Sequence, residues 1–145
     1  MNLNKLFLES CKDRNLEINK NQKKIIDLIN NFYQSNFKRK SLFNLFSKQS
    51  QKLGFYLQGD VGVGKTMILN LFYERFDKQK KRFHFNEFMI SFHDFAFENK
   101  DNKKNNVINR FVNKLKKKYE LIYFDEFQVT NIVDAMILGN LFKKI

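Results

Sequence analysis

The chain has 145 residues, one domain's worth at most, and its 43% hydrophobic and 16% aromatic content excludes a disordered chain. No apolar run approaches the roughly 20 residues of a membrane span, and Met1 to Gln22 mixes basic residues with Glu9, Asp13 and Glu17, unlike a signal or transit peptide. The net charge of +12 raises a nucleic-acid or membrane partner, but the charges are dispersed along a Lys-, Asn-, Ile- and Phe-rich chain lacking Pro and Trp, so compositional bias is weighed ahead of a polyanion site.

The single cysteine, Cys11, cannot form an internal disulfide, which fits a reducing compartment. From Lys23 to Tyr33 the apolar residues Ile25, Ile26, Leu28, Ile29, Phe32 and Tyr33 recur at helical spacing. Ser41 can cap a short helix carrying Leu42, Phe43, Leu45 and Phe46. Leu53 to Leu57 predicts a buried strand. At once there follows Gly59-Asp60-Val61-Gly62-Val63-Gly64-Lys65-Thr66, which fits the phosphate-binding pattern G-x-x-x-x-G-K-[ST]. Three of the 5 glycines fall inside it, where backbone must bend sharply and approach a ligand. The pattern arises by chance in about 0.5% of chains this long, so its context matters: a strand before it and a helix, Thr66 to Phe76, after it.

Lys81 to Phe85 predicts a second strand with Phe83 and Phe85 on one face. The helix after it carries Phe88, Phe92 and Phe95 as a core stripe. Glu98 to Asn106 is polar and expected as an exposed loop, and Val107 to Tyr119 as an amphipathic helix. The lysines of that helix, Lys114 and Lys116 to Lys118, lie where cations oppose its dipole favourably. Leu121 to Phe124 is a third strand that runs into Asp125-Glu126, and Ile132 to Ile145 is a final helix. The alternation predicts an α/β fold with a parallel sheet. His84, in a strand expected to be buried, and His93, on the Phe-rich helix, lack metal-ligand spacing and are read as structural.

The paired motifs carry chemistry. A Gly-rich loop offers inward backbone N–H groups, and the next helix adds the partial positive charge of its N-terminus. Lys65 reaches the β- and γ-phosphates and the Thr66 hydroxyl ligates Mg²⁺. Four apolar residues ending in Asp125-Glu126 form a Walker B pattern: Asp125 holds Mg²⁺ through water, and Glu126 polarises the attacking water. The expected ATP contacts are therefore Gly59, Asp60, Val61, Gly62, Val63, Gly64, Lys65, Thr66 and Met67, with Lys65 and Glu126 catalytic and Thr66 and Asp125 at the metal.

Three blocks resemble the ZapE-type cell-division ATPases, whose mitochondrial relatives are the AFG-type ATPases, within the AAA+ superfamily. They are Gly59 to Tyr73, Arg82 to Met89, and Phe124 to Leu138 with its Asp-Glu-Phe-Gln-Val-Thr-Asn run. Asn70, Asn86 and Asn131 stand where the family more often has Asp, His and Asp. The resemblance implies a P-loop AAA+ three-layer sandwich, ATP hydrolysis, a homo-oligomeric ring, and work beside the division machinery or inner-membrane proteins. It implies a cytoplasmic location, peripheral at the inner face of the inner membrane, with nucleic acid not the expected partner. Residues 1–50 are then an N-terminal helical segment, and residues 51–145 the N-terminal part of the ATPase core. Strands one to three are present, while strands four and five, the arginine finger and the helical lid have no counterpart, so a truncated ATPase is expected. Two alternatives stay open: a nucleotide-binding module without turnover, and a DNA-associated AAA+ loader.

Overall fold

The computed structural model describes residues 3–15, 17–37, 53–59, 64–100 and 105–145. It divides into two units, Met1–Phe76 and Asp77–Ile145. The expected boundary at residue 50 and the short helix capped by Ser41 lie outside the described residues.

The first unit packs three helices: α1 (Leu3–Asp13), α2 (Lys20–Phe37) and α3 (Lys65–Arg75). Leu3, Phe7 and Cys11 recur every four residues along α1, so one face of that helix is buried. Asn15 adopts a left-handed φ of 51° beyond its end, a conformation that Asn tolerates better than most residues. Asn19 and Gln22 start α2 as a capping box. The Asn19 carboxamide oxygen accepts from the Asn21 N–H at 2.8 Å, and the Asn19 N–H donates to Gln22 Oε1 at 3.1 Å. Ile26 and Ile29 of α2 and Ile68 and Phe72 of α3 are all buried, each worth about 1.5–3 kcal/mol relative to exposure. An aromatic ladder continues the packing, with Phe37 edge-on to Phe76 at 4.7 Å and Tyr33 edge-on to Phe72 at 6.4 Å.

Leu53 to Leu57 corrects the expectation of a strand. These residues carry no strand pairing among the described residues, and Leu53 and Tyr56 are 64% and 67% exposed. An extended segment becomes a strand only when a neighbour accepts its ladder of hydrogen bonds. Phe55 does pack edge-on to Phe32 of α2, at 5.1 Å, so the apolar signal reflects docking on a helix.

The second unit follows β1 (Lys80–His84), α4 (Phe85–Glu98), α5 (Asn105–Lys118), β2 (Leu121–Asp125) and α6 (Ile132–Phe142). The strands pair in parallel, with Lys80 opposite Leu121, Arg82 opposite Tyr123 and His84 opposite Asp125. A parallel pair requires a crossover, which α4 and α5 supply. The core holds Phe85, Phe88, Met89, Phe92, Phe111, Val112, Leu115, Leu138 and Leu141, with Phe83 and Phe124 packed against it from the sheet. Phe85 opens α4 instead of continuing the strand. Glu98 closes α4 and Asn105 opens α5, so the polar stretch expected as a loop is shorter than its composition suggests.

His84 is exposed, which corrects its assignment to a buried strand position. Strand alternation explains it: Phe83 takes the core-facing side, and His84 falls on the other. His93 stays structural, its Nε2 lying 3.0 Å from Asp134 Oδ1 and so linking α4 to α6. Lys116 donates to the Lys144 carbonyl at 2.8 Å, giving one of the helix-end lysines a tertiary role.

Candidate active site

The two halves of the expected site lie in different units, and each has its own geometry. In the first unit, Gly64 caps α3 with φ 82° and ψ 13°, and its carbonyl accepts the Ile68 N–H at 3.1 Å. This is a left-handed position, which glycine occupies without the penalty a β-carbon incurs. A β-carbon at Gly64 would also stand 2.7 Å from Gln22 Nε2. The capping-box glutamine of α2 is therefore packed against the last glycine of the phosphate loop.

Lys65 donates from Nζ to the Gly59 carbonyl at 2.7 Å, so its ammonium lies across the two ends of the loop. Thr66 is exposed in the first turn of α3, and Met67 is half-buried behind it. The N-terminal N–H groups of α3 have no partner within their own helix and favour an anion there. Asp60, Val61, Gly62 and Val63 lie outside the described residues. A cleft of about 280 Å³ elsewhere in this unit is lined by Asn4, Phe7, Leu8, Lys23 and Asp27 and includes none of the expected site residues.

In the second unit Asp125 ends β2 and Glu126 follows it. One carboxylate oxygen of Asp125, Oδ2, is bonded by the Arg82 guanidinium from the neighbouring strand. The other, Oδ1, accepts from the Tyr123 hydroxyl at 3.5 Å. The Arg82 guanidinium also lies over the Tyr123 ring at 5.0 Å. Burial pushes the Tyr123 phenol above its usual pKa, the Asp125 charge pushes it further, and Arg82 opposes the rise. Glu126 is exposed and sits at φ 50°. A left-handed glutamate costs about 1–2 kcal/mol, and strain of this kind collects at functional sites. Phe127 anchors the turn, edge-on to Phe85 at 5.0 Å and to Phe124 at 5.7 Å.

Asn131, the departure from the family's Asp, caps α6 by accepting the Val133 N–H at 2.7 Å. Asn and Asp serve as N-caps about equally well, so this substitution keeps the helix start.

The donor chemistry fits Mg²⁺. Asp125 and Thr66 offer hard oxygen ligands, and no group of three or more His, Cys, Asp or Glu among the described residues could form an all-protein metal cage. Mg²⁺ is commonly held in that way, by one or two protein oxygens with phosphates and waters completing the octahedron. Arg82, Tyr123 and Gln22 are the residues that motif reading misses. Alternation along two strands could have set Arg82 and Asp125 on one face, but only the register brings them together. For Gln22 the signal was Asn-x-x-Gln, a legible capping box.

Comparison with known proteins gives the family. The sequence is similar to Lactation elevated protein 1 homolog B of Danio rerio, 38% identical over 107 residues, covering 67% of this chain and 21% of the relative. It is likewise similar to the Cell division protein ZapE of Escherichia coli, 35% identical over 102 residues, covering 68% of this chain and 26% of the relative. The chain thus spans about a fifth to a quarter of the length of these relatives. No solved structure matches it. The sequence model of the AFG1-like ATPases matches residues 3–145, and the chain belongs to that family.

Proposed function

We propose that the chain binds ATP and contributes the phosphate loop and the Walker B acids of a Mg²⁺-dependent AAA+ ATPase. The observation that carries this is the Lys65 ammonium held across the loop ends, on the Gly59 carbonyl, at the start of a helix capped by left-handed Gly64. Residues Gly59 to Met67 surround the phosphates, with backbone N–H groups and the α3 N-terminus as donors. Lys65 exchanges the Gly59 carbonyl for β- and γ-phosphate oxygens. Thr66 and Asp125 would hold the metal, Asp125 through water. Bound Mg²⁺ would neutralise charge building on the phosphates. The Glu126 carboxylate accepts the proton of the water that attacks the γ-phosphorus, the bond to the bridging oxygen breaks, and ADP leaves.

In the whole protein we assign these residues to a P-loop three-layer sandwich that forms a homo-oligomeric ring. Its partners are division-machinery or inner-membrane proteins, met from the cytoplasmic side. The name of the Escherichia coli relative supports the division role. No helix among the described residues is long and apolar enough to cross a membrane.

The test is equilibrium binding of a fluorescent ATP analogue together with phosphate release. Lys65→Ala should weaken binding at least tenfold, and Glu126→Gln should keep binding and stop release. Wild-type binding that ignores Lys65→Ala would refute the proposal. For these 145 residues taken alone a second reading stands, nucleotide binding without turnover, because they cover only 21% to 26% of the relatives' lengths. Stoichiometric binding with no phosphate release is its signature. A loader-type DNA role is ranked last, and DNA affinity that falls steeply with salt would revive it.

A further inference from the structure

Asp125 is expected to serve a hydrated Mg²⁺, yet both its oxygens already have donors. Arg82 bonds Oδ2 and the Tyr123 hydroxyl reaches Oδ1 at 3.5 Å. The arrangement is fixed by the sheet. Arg82 pairs in register with Tyr123, and its guanidinium lies across that ring at 5.0 Å to reach the aspartate one step further along the same face. The Asp125 side chain is 20% exposed and that of Arg82 37%, which leaves the pair partly shielded from water.

A guanidinium does not lose its proton at any physiological pH. A dication approaching Asp125 therefore meets a fixed positive charge already on one carboxylate oxygen, and movement of Arg82 relieves that conflict. The Tyr123 hydroxyl is neutral and can remain.

We propose that Arg82 is a displaceable counter-ion: it occupies Asp125 when nucleotide is absent, and Mg²⁺–nucleotide must dislodge it. Arg82 is thus a positioning residue that sets the Mg²⁺ concentration at which the site loads. The proposal rests on the reading of Asp125 as a metal-holding acid. It extends that reading with a threshold in which free site and loaded site compete for one carboxylate.

The experiment is a Mg²⁺ titration of fluorescent ATP analogue binding to the full chain, starting from EDTA. Binding in EDTA reports the phosphate loop, and the Mg²⁺ midpoint reports Asp125. Arg82→Gln should lower the midpoint about tenfold and leave the EDTA affinity within about twofold. Arg82→Lys keeps the charge but loses the fork, and its midpoint should fall between the two. An unchanged midpoint in both variants would make the pair a strand-to-strand tie and overturn the proposal. Weaker binding of Arg82→Gln in EDTA would assign Arg82 to the phosphates and overturn it equally. Wild-type binding that is indifferent to Mg²⁺ overturns this proposal alone, and wild-type binding that is absent in every condition overturns the nucleotide reading with it. Circular dichroism and thermal melting accompany each variant. If neither variant folds, the pair belongs to the sheet and the proposal fails.

Discussion

Replacing Gly64 by Ala tests the join between the phosphate loop and α2. The left-handed φ of 82° costs a residue with a β-carbon about 1–2 kcal/mol. The new β-carbon would also sit 2.7 Å from Gln22 Nε2, so that amide must shift. If the shift breaks the 3.1 Å bond from the Asn19 N–H to Gln22 Oε1, another 0.5–1.5 kcal/mol or so is lost. Alanine restricts the unfolded chain and offsets roughly 0.4–1 kcal/mol of this. The net expectation is a loss of about 1–2 kcal/mol, read as a lower urea midpoint with an unchanged slope. A double-mutant cycle separates the terms. In a Gln22→Ala background the collision disappears, and Gly64→Ala should cost only its backbone share, with a coupling near 1 kcal/mol. Gly64→Asn, better suited to the left-handed region, should cost less than Gly64→Ala in either background. Zero coupling, or an alanine variant as stable as wild type, would refute the packing of Gln22 on the loop.

Three further outcomes are expected. Glu126→Gly should raise stability by about 1 kcal/mol by relieving the left-handed glutamate while abolishing phosphate release, and chemical denaturation beside a release assay reads both. Phe88→Ala removes a 1% exposed ring that meets Phe83, Phe111 and Phe124 edge-on, and should cost about 3–5 kcal/mol by urea denaturation. The Tyr123 pKa is raised in the folded protein above its ordinary value of 10.0, so its contribution to stability is fully present below that pH and lost as pH rises through the folded value. Tyr123→Phe should therefore lose less stability than wild type as the pH rises above about 10, measured as urea midpoints.

Helices were the legible part of this chain. The spacing of Ile25 to Tyr33, of Phe88, Phe92 and Phe95, and of Val107 to Leu115 reports burial that each helix imposes on its own sequence. Helix α1 carried the same signal in Leu3, Phe7 and Cys11, at a spacing of four. Strands were legible only where a partner exists. Lys80–His84 and Leu121–Asp125 pair with each other, while Leu53 to Leu57, far more apolar than the first of these, pairs with none of the described residues. Pairing is a property of two segments, and a local pattern holds information about one. The same limit hid Arg82. The acids of the second motif were readable from their order in the chain, but the cation that bonds Asp125 depends on strand register.

On the proposed reading, that register also separates two tasks that the sequence writes side by side. Asp125 is the last residue of a hydrogen-bonded strand, with Phe124 packed into the core one step before it. In the free site its carboxylate is further tied by Arg82 and Tyr123, and the Tyr123 tie remains when Arg82 is displaced. Glu126, the next residue, leaves the strand through a left-handed turn and is exposed, with the chain secured again only at Phe127. A metal-holding acid must be fixed, because the dication tolerates little error in its octahedron. A water-polarising acid must reach a nucleophile that is in place only when substrate is bound, and an adjustable turn allows that approach. On that reading, the strain at Glu126 would be the cost of ending the strand abruptly between two carboxylates whose mobilities must differ. Extending the strand by one residue would give both acids the same rigidity and set them on opposite faces of the sheet.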